Sequence, residues 1–227
     1  MSIDDMSMAM ATLKNAGFEV TGLVIGGSYH ISKFCESRGI RHEMFENKPV
    51  SDKFTYAWLR AVQQRCDYVC WYGSNNVHHA GYWEAAINRL NGNKAATFGT
   101  RNCVIMSSDT SVDEGCVFHP AEGYLISSGQ FFLTSTLINT VNLLTLYSED
   151  QTFNFDGVIL DRLTERWGQD IVEFVEFNEE DCVDVKNDLN IHSFDSYMAV
   201  PQYKRYSTVN MGARHPCLGL YLTGHYD

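Results

Sequence analysis

The chain has 227 residues and is 44% hydrophobic, enough for one core, and its formal charge of −11 argues against broad, nonspecific adhesion to nucleic acid or anionic membrane. No apolar run approaches the roughly 18 residues that a membrane helix needs, and the first twenty residues, with two early Asp and no long apolar segment, do not read as a signal peptide. Seven scattered cysteines, an odd number without paired metal-site spacing, read as reduced, partly buried thiols of a cytoplasmic protein.

In chain order, residues 4–15 read as a helix, with Asp4 and Asp5 at its positive end and Gly17 just beyond it. "EVTGLVIGG" (19–27) is a strand, "HISKFCESRG" (30–39) a helix and "RHEMFE" (41–46) a short strand. "SDKFTYAWLRAVQQR" (51–65) puts Phe54, Ala57, Trp58, Ala61 and Val62 on one helical face. The β-formers around Val69 and Trp71 then run into Gly73-Ser74-Asn75-Asn76, and "HAGYWEAAINRLNG" (79–92) supplies the next helix. This β-α order predicts a Rossmann-like, mostly parallel sheet with helices on both faces. Ligands in such sheets sit beyond the carboxyl ends of the strands, where Gly73 to Asn76 would lie.

The second half reads as mixed. Residues 103–109, 115–120 and 123–129 are short strands, 131–144 an apolar helix, and 156–168 a helix beginning at Asp156. "IVEFVEF" (171–177) and "CVDVKN" (182–187) read as edge strands. No repeat or low-complexity run divides the chain, so residues 1–227 are expected to form a single α/β domain.

Three constellations carry chemistry. Gly73-Ser74-Asn75-Asn76 is either a strand-to-helix turn, since Gly and Asn tolerate left-handed backbone, or two carboxamides and a hydroxyl set on a diphosphate or sugar. Asp156 is either a helix N-cap or a general base at the sheet edge. Asp184 and Lys186 alternate along one strand face, as a surface ion pair or as a charged pair with a role, and His192 follows in a polar loop. The charges are unevenly spread: acids cluster between 149 and 188, whereas 196–226 hold no Asp or Glu but carry Lys204, Arg205 and Arg214.

Taken together these pieces resemble the single-domain GT-A type glycosyltransferases of bacteriophage genomes. "ENKPVSDKF" is similar to their N-x-P-x-x-x-K-(W/F), "YVCWYGSNN" to a strand ending in G-S-D-D, and "SSGQFFLTSTLIN" (127–139) loosely to G-A-G-R before a helix. "FNFDGVILDRL" resembles their n-x-G-L-D-(G), and "VDVKNDLNIHSF" their v-D-v-K followed by N-I. The order is kept from about residue 46 to 194.

The resemblance implies a GT-A-like domain whose residues 1–100 form a nucleotide-sugar half and 101–227 an acceptor half. It implies a UDP-sugar donor held by Gly73, Ser74, Asn75, Asn76, Ser128, Gly129, Lys186 and His192, with Asp156 as the catalytic base. The acceptor it suggests is 5-hydroxymethylcytosine in phage DNA, with glucose or arabinose as the sugar and Lys204, Arg205 and Arg214 as the DNA-facing residues. The alternatives are a protein or surface-glycan acceptor, or a degenerate, non-catalytic nucleotide-sugar-binding protein, which the two asparagines favour. Mn²⁺ or Mg²⁺ would sit at Asn76 and His192. The two asparagines stand where the family has acids, however, so either metal affinity is low or Lys186 and His192 stabilise the leaving diphosphate instead. The opening strand usual in that fold is not evident before the helix at residue 4.

Overall fold

The computed structural model of the chain describes residues 2–27, 29–46, 49–73, 75–92, 97–109, 111–120, 124–126, 128–148, 155–175, 178, 181–186 and 193–218. Helix α1 (Ser2–Asn15) is followed by strand β1 (Leu23–Ile25), α2 (Tyr29–Glu36) and β2 (Arg41–Glu43). β1 and β2 pair in parallel, Leu23 opposite Arg41 and Ile25 opposite Glu43, as a strand–helix–strand unit requires. Helix α3 (Val50–Val62) then leads into β3 (Tyr68–Trp71).

After β3 the chain leaves its sheet. Asn76–His78 is a separate strand, β4, preceding α4 (Ala80–Gly92), β5 (Thr97–Gly99), β6 (Cys103–Ser107) and β7 (Glu114–Phe118). Next come β8 (Gln130–Leu133), α5 (Thr134–Thr140), α6 (Phe155–Trp167) and β9 (Val172–Phe174). The remaining elements are β10 (Cys182–Lys186), α7 (Phe194–Met198), β11 (Arg205–Ser207) and α8 (Met211–Arg214).

The strands form a four-stranded sheet in the order β3-β8-β5-β9, a five-stranded sheet in the order β11-β7-β6-β10-β4, and the β1-β2 pair. Among the described residues three of eight pairings are parallel: β1 with β2, β6 with β10, and β5 with β9. The expected mostly parallel sheet is therefore corrected to a mixed α/β arrangement. The cause is β8, which returns antiparallel between β3 and β5.

Adjacent residues of β8 show how the four-stranded sheet is covered. Phe132 packs with Trp58 of α3, Leu137 of α5 and Ile159, Leu160 and Leu163 of α6. Phe131 points the other way, to Ala9 and Leu13 of α1 and Tyr82, Trp83 and Ala86 of α4. Alternation along a strand places these on opposite faces, so helices cover both.

The five-stranded sheet obeys the same parity. Val183 and Val185 of β10 pack with Val104, Met106, Met211 and Leu218. Cys182, on the other face, joins Cys103, Ile105, Cys116 and Ile126, bordered by Phe194 and Tyr197 of α7. All seven cysteines are free thiols, five of them buried. No helix among the described residues is long and apolar enough to cross a membrane.

Three local expectations change. The apolar run 131–144 is a strand followed by a short helix and a 3₁₀ turn (Leu143–Thr145), not one helix. Residues 124–126, expected in a strand, have no regular structure. β10 is not an edge strand but lies between β6 and β4, while β9 does lie at an edge.

Candidate functional site

The turn between β3 and β4 is a crossover from one sheet to the other, which corrects its reading as a strand-to-helix turn. Its backbone is pinned from outside. Gly73 N–H donates to Ser128 Oγ at 3.0 Å, and Gly129 N–H donates to Trp71 O at 2.8 Å. The Tyr82 hydroxyl donates to Gly129 O, so the 128–129 segment is itself fixed to α4. Gly73, Ser128 and Gly129, picked out separately in the sequence, meet here.

Asn75 faces β10. Val185 N–H donates to Asn75 O at 2.9 Å, and the Asn75 amide donates to Asp184 Oδ1 at 2.5 Å and lies 3.4 Å from Val185 O. Two acceptors on that side fix the NH₂ group toward β10. Asn76 is buried and sits opposite Asp184 in the β4–β10 register.

Asp184 and Lys186 share a face two residues apart, as the strand period requires. The Lys186 ammonium lies 2.7 Å from Asp184 Oδ2, and the two side chains are 8% and 14% exposed. Lys186 is therefore buried and Asp184 largely so, unlike the solvated surface pair that one reading of the sequence allowed. Lys186 also stands over the Tyr197 ring at 5.1 Å, and that contact adds to the stabilisation of its charge. Burial, with the Asp184 charge, raises the Tyr197 hydroxyl above its ordinary pKa and keeps it neutral.

Gly73, Asn75, Asn76, Asp184, Lys186 and Tyr197 line one cleft. The same cleft reaches Gly26 and Gly27 at the carboxyl end of β1 and Lys53 in the first turns of α3. Burial lowers the Lys53 pKa from its ordinary value. Phe54, next in sequence, stacks on Trp71 at 5.0 Å and on Phe155 at 4.1 Å, which seats the start of α6 against α3 and β3. Phe155 lines the cleft as well. Asp156 falls in the first turn of α6, not at its cap, and its side chain lies outside the described residues, as do Ser74 and His192.

Behind β4 lies a second buried polar group. Asp5 of α1 accepts from His78 N–H at 3.0 Å and from the Tyr72 hydroxyl, while His78 Nδ1 is 3.1 Å from that hydroxyl. Cys182 pairs in register with His78, and Cys103 begins the neighbouring strand. The Cys103 hydrogen bond and the His78 imidazolium draw the Cys182 thiol down against its burial. Burial opposes charge on His78, but Cys182 and Asp5 outweigh it and raise its pKa.

The three basic residues expected to face DNA are not among those that line this cleft. Lys204 and Arg205 are exposed beside β7, and the Arg205 guanidinium donates to Met198 O at 2.5 Å. Arg214 instead makes a 2.6 Å ion pair with the buried Asp181, whose Oδ1 is also 3.3 Å from His79 Nδ1.

A hard divalent cation of the kind the resemblance implies seeks carboxylate oxygens. Both Asp184 oxygens already face N–H donors, and Asn75 turns its NH₂, not its oxygen, toward them. Among the described residues no three His, Cys, Asp or Glu side chains are grouped to hold a metal. The described residues do not fit such an ion. The sequence singled out Asp184 beside Lys186 but not its bond to Asn75, and it left Lys53 unassigned. Asp184's bond to Asn75 spans 109 positions and has no local signal, whereas Lys53 had one, as the lysine of N-x-P-x-x-x-K.

No protein-family model matches the chain, and no curated protein matches it either.

Proposed function

We propose that the chain is a UDP-sugar-dependent glycosyltransferase of the GT-A type that places glucose or arabinose on 5-hydroxymethylcytosine in phage DNA. The observation that supports this reading is the convergence of Asn75, Asn76, Asp184 and Lys186 on one cleft, beside the Gly73–Ser128 contact. The Asn76 carboxamide and the buried Lys186 ammonium are donors suited to a sugar diphosphate. Concave sites with a few convergent polar groups are where small ligands bind.

In the proposed reaction a base, Asp156, takes the proton from the acceptor hydroxyl. The hydroxyl oxygen bonds to the anomeric carbon as the bond from that carbon to the diphosphate oxygen breaks. UDP departs with the electron pair, and Lys186 stabilises the charge that develops on it. An acceptor base in duplex DNA must be turned out of the stack or reached through the major groove.

The test is transfer of radiolabel from UDP-glucose and UDP-arabinose to hydroxymethylcytosine-containing DNA. Label is expected in the DNA, and Asp156→Asn is expected to lower turnover by about a hundredfold or more. Full turnover in that variant would remove Asp156 from the role. Silence toward every UDP-sugar in thermal-shift measurements would sink the glycosyltransferase reading itself.

A second acceptor reading has its own support. Arg205 and Arg214 already serve Met198 and Asp181, and the net charge is −11, so a protein or surface glycan meets less repulsion than DNA. Label in such an acceptor and none in DNA would favour it.

A further inference from the structure

We propose that Lys186 supplies, from within the chain, the positive charge that a divalent cation would otherwise bring to a diphosphate in this cleft, so that diphosphate binding here requires no metal. The inference rests on the nucleotide-sugar reading above and sharpens it, since it concerns how the anion is held.

Three features of the geometry point the same way. First, the site's described carboxylate is already engaged. Asp184 Oδ1 accepts from the Asn75 amide at 2.5 Å and Oδ2 faces Lys186 Nζ at 2.7 Å. A hard cation would have to displace an amide and an ammonium to reach it, and carboxamide oxygens are poor substitutes for carboxylates.

Second, Lys186 is a buried cation whose position is fixed rather than swinging from the surface. Its side chain is 8% exposed, with Asp184 on one side and the Tyr197 ring on another. An ammonium has three N–H donors, and Asp184 takes one of them. Lys186 lines the cleft, and its remaining donors are assigned to a phosphate.

Third, the charges balance. The Asp184–Lys186 pair adds no net charge, so what it offers a diphosphate is the fixed local positive field and donors of the ammonium, and Asn75 and Asn76 stand where a carboxylate pair would repel the anion. With no such carboxylates, no cation is needed to offset their charge, and the diphosphate's own charge is left for the ammonium to meet. Lys186, placed by Asp184, then does electrostatically what the ion does elsewhere. Arginine at this position keeps the charge but changes its shape.

The experiment is titration calorimetry with inorganic pyrophosphate and with UDP, each in EDTA and again with added Mn²⁺. Both ligands are expected to bind in EDTA, and Mn²⁺ should change either affinity by less than about threefold. Lys186→Met is expected to weaken pyrophosphate binding roughly tenfold to a hundredfold, the range of a charge-assisted hydrogen bond. Lys186→Arg should recover most of it. If removing the ammonium unfolds the protein by leaving Asp184 unpaired, the double variant Asp184→Asn/Lys186→Met removes both charges and should show the same loss.

Binding that appears only with Mn²⁺, wild-type affinity in the lysine variants, or no pyrophosphate binding under either condition would each overturn the proposal. Binding of pyrophosphate that depends on Lys186 but not on metal, together with no binding of UDP or any UDP-sugar, would leave it standing. That outcome would overturn the glycosyltransferase reading instead.

Discussion

A Cβ on Gly73 would collide with Asn76 Oδ1 and come within 3.3 Å of Ser128 Cβ. Asn76 is buried and cannot simply swing into solvent, so an added methyl must turn its amide away from the cleft. Gly73→Ala is therefore expected to lower UDP-sugar turnover about tenfold or more, since small displacements of positioning groups are costly. The fold should hold, with Tm within about 4 °C of the wild type, because the clash is with the end of one side chain rather than backbone. Wild-type turnover in this variant would mean that the Asn76 amide does not touch the reacting ligand. At this scale the sequence was informative about residue type and poor about partners. A glycine, two carboxamides and a lysine in suggestive places were readable. The clamp that Asp184 makes on Asn75 was not, because hydrogen bonds across two strands leave no periodicity in either.

The elements misread from sequence fail for physical reasons. In "FFLTSTLINTVNLL" the apolar residues satisfy a helical face, yet Phe131 and Phe132 pair with Cys70 and Val69 on β3. A strand buried on both faces reads as a continuous apolar run, which periodicity alone does not separate from a helix. β10 misleads in the opposite sense. Asp184 and Lys186 give it the alternation of a half-exposed edge strand, but they neutralise each other and so can be interior. β1–α2–β2 was legible because a parallel pair needs its crossover helix, and the pattern shows both. That unit is held to α3 by Glu43, whose carboxylate takes the Arg60 guanidinium and, at 2.7 Å, the Tyr56 hydroxyl. The Arg60 hydrogen bond, chiefly, holds the Glu43 pKa down at about 2. A depressed carboxylate contributes stability that is complete above its unfolded pKa, about 4.5, and is lost as pH falls through the folded value. Glu43→Gln should therefore lower Tm by about 2–4 °C at neutral pH, a modest effect because the pair is partly solvated. The difference from wild type should close between pH 4.5 and 2. A gap that persists at the acid end would show that packing, not charge, is what Gln lacks.

Over the whole molecule, two sheets and a parallel strand pair must be kept in register for the cleft to exist. Their joint is α1, a helix whose role could not be read from an amphipathic pattern alone. Asp5 reaches Tyr72, just past the end of β3, and His78 in β4, so one buried carboxylate spans both large sheets. Asp4, beside it, makes a 2.6 Å pair with Arg38 and keeps its side chain 19% exposed. In sequence the two are equivalent, both acids at a helix N-terminus, and burial alone separates them. Removing one partner from a buried charged network leaves the other uncompensated, whereas a solvated pair contributes little. Asp5→Ala is accordingly expected to lower Tm by roughly 10 °C, and Asp4→Ala by less than about 4 °C. Because Asp5 helps to raise the His78 pKa, its loss should also bring the His78 titration toward the ordinary imidazole range, which NMR of the ring protons would follow. Equal losses in the two variants, or an unmoved His78 titration, would mean that α1 is held by its apolar face on α4 alone. The joint between the sheets would then lie elsewhere.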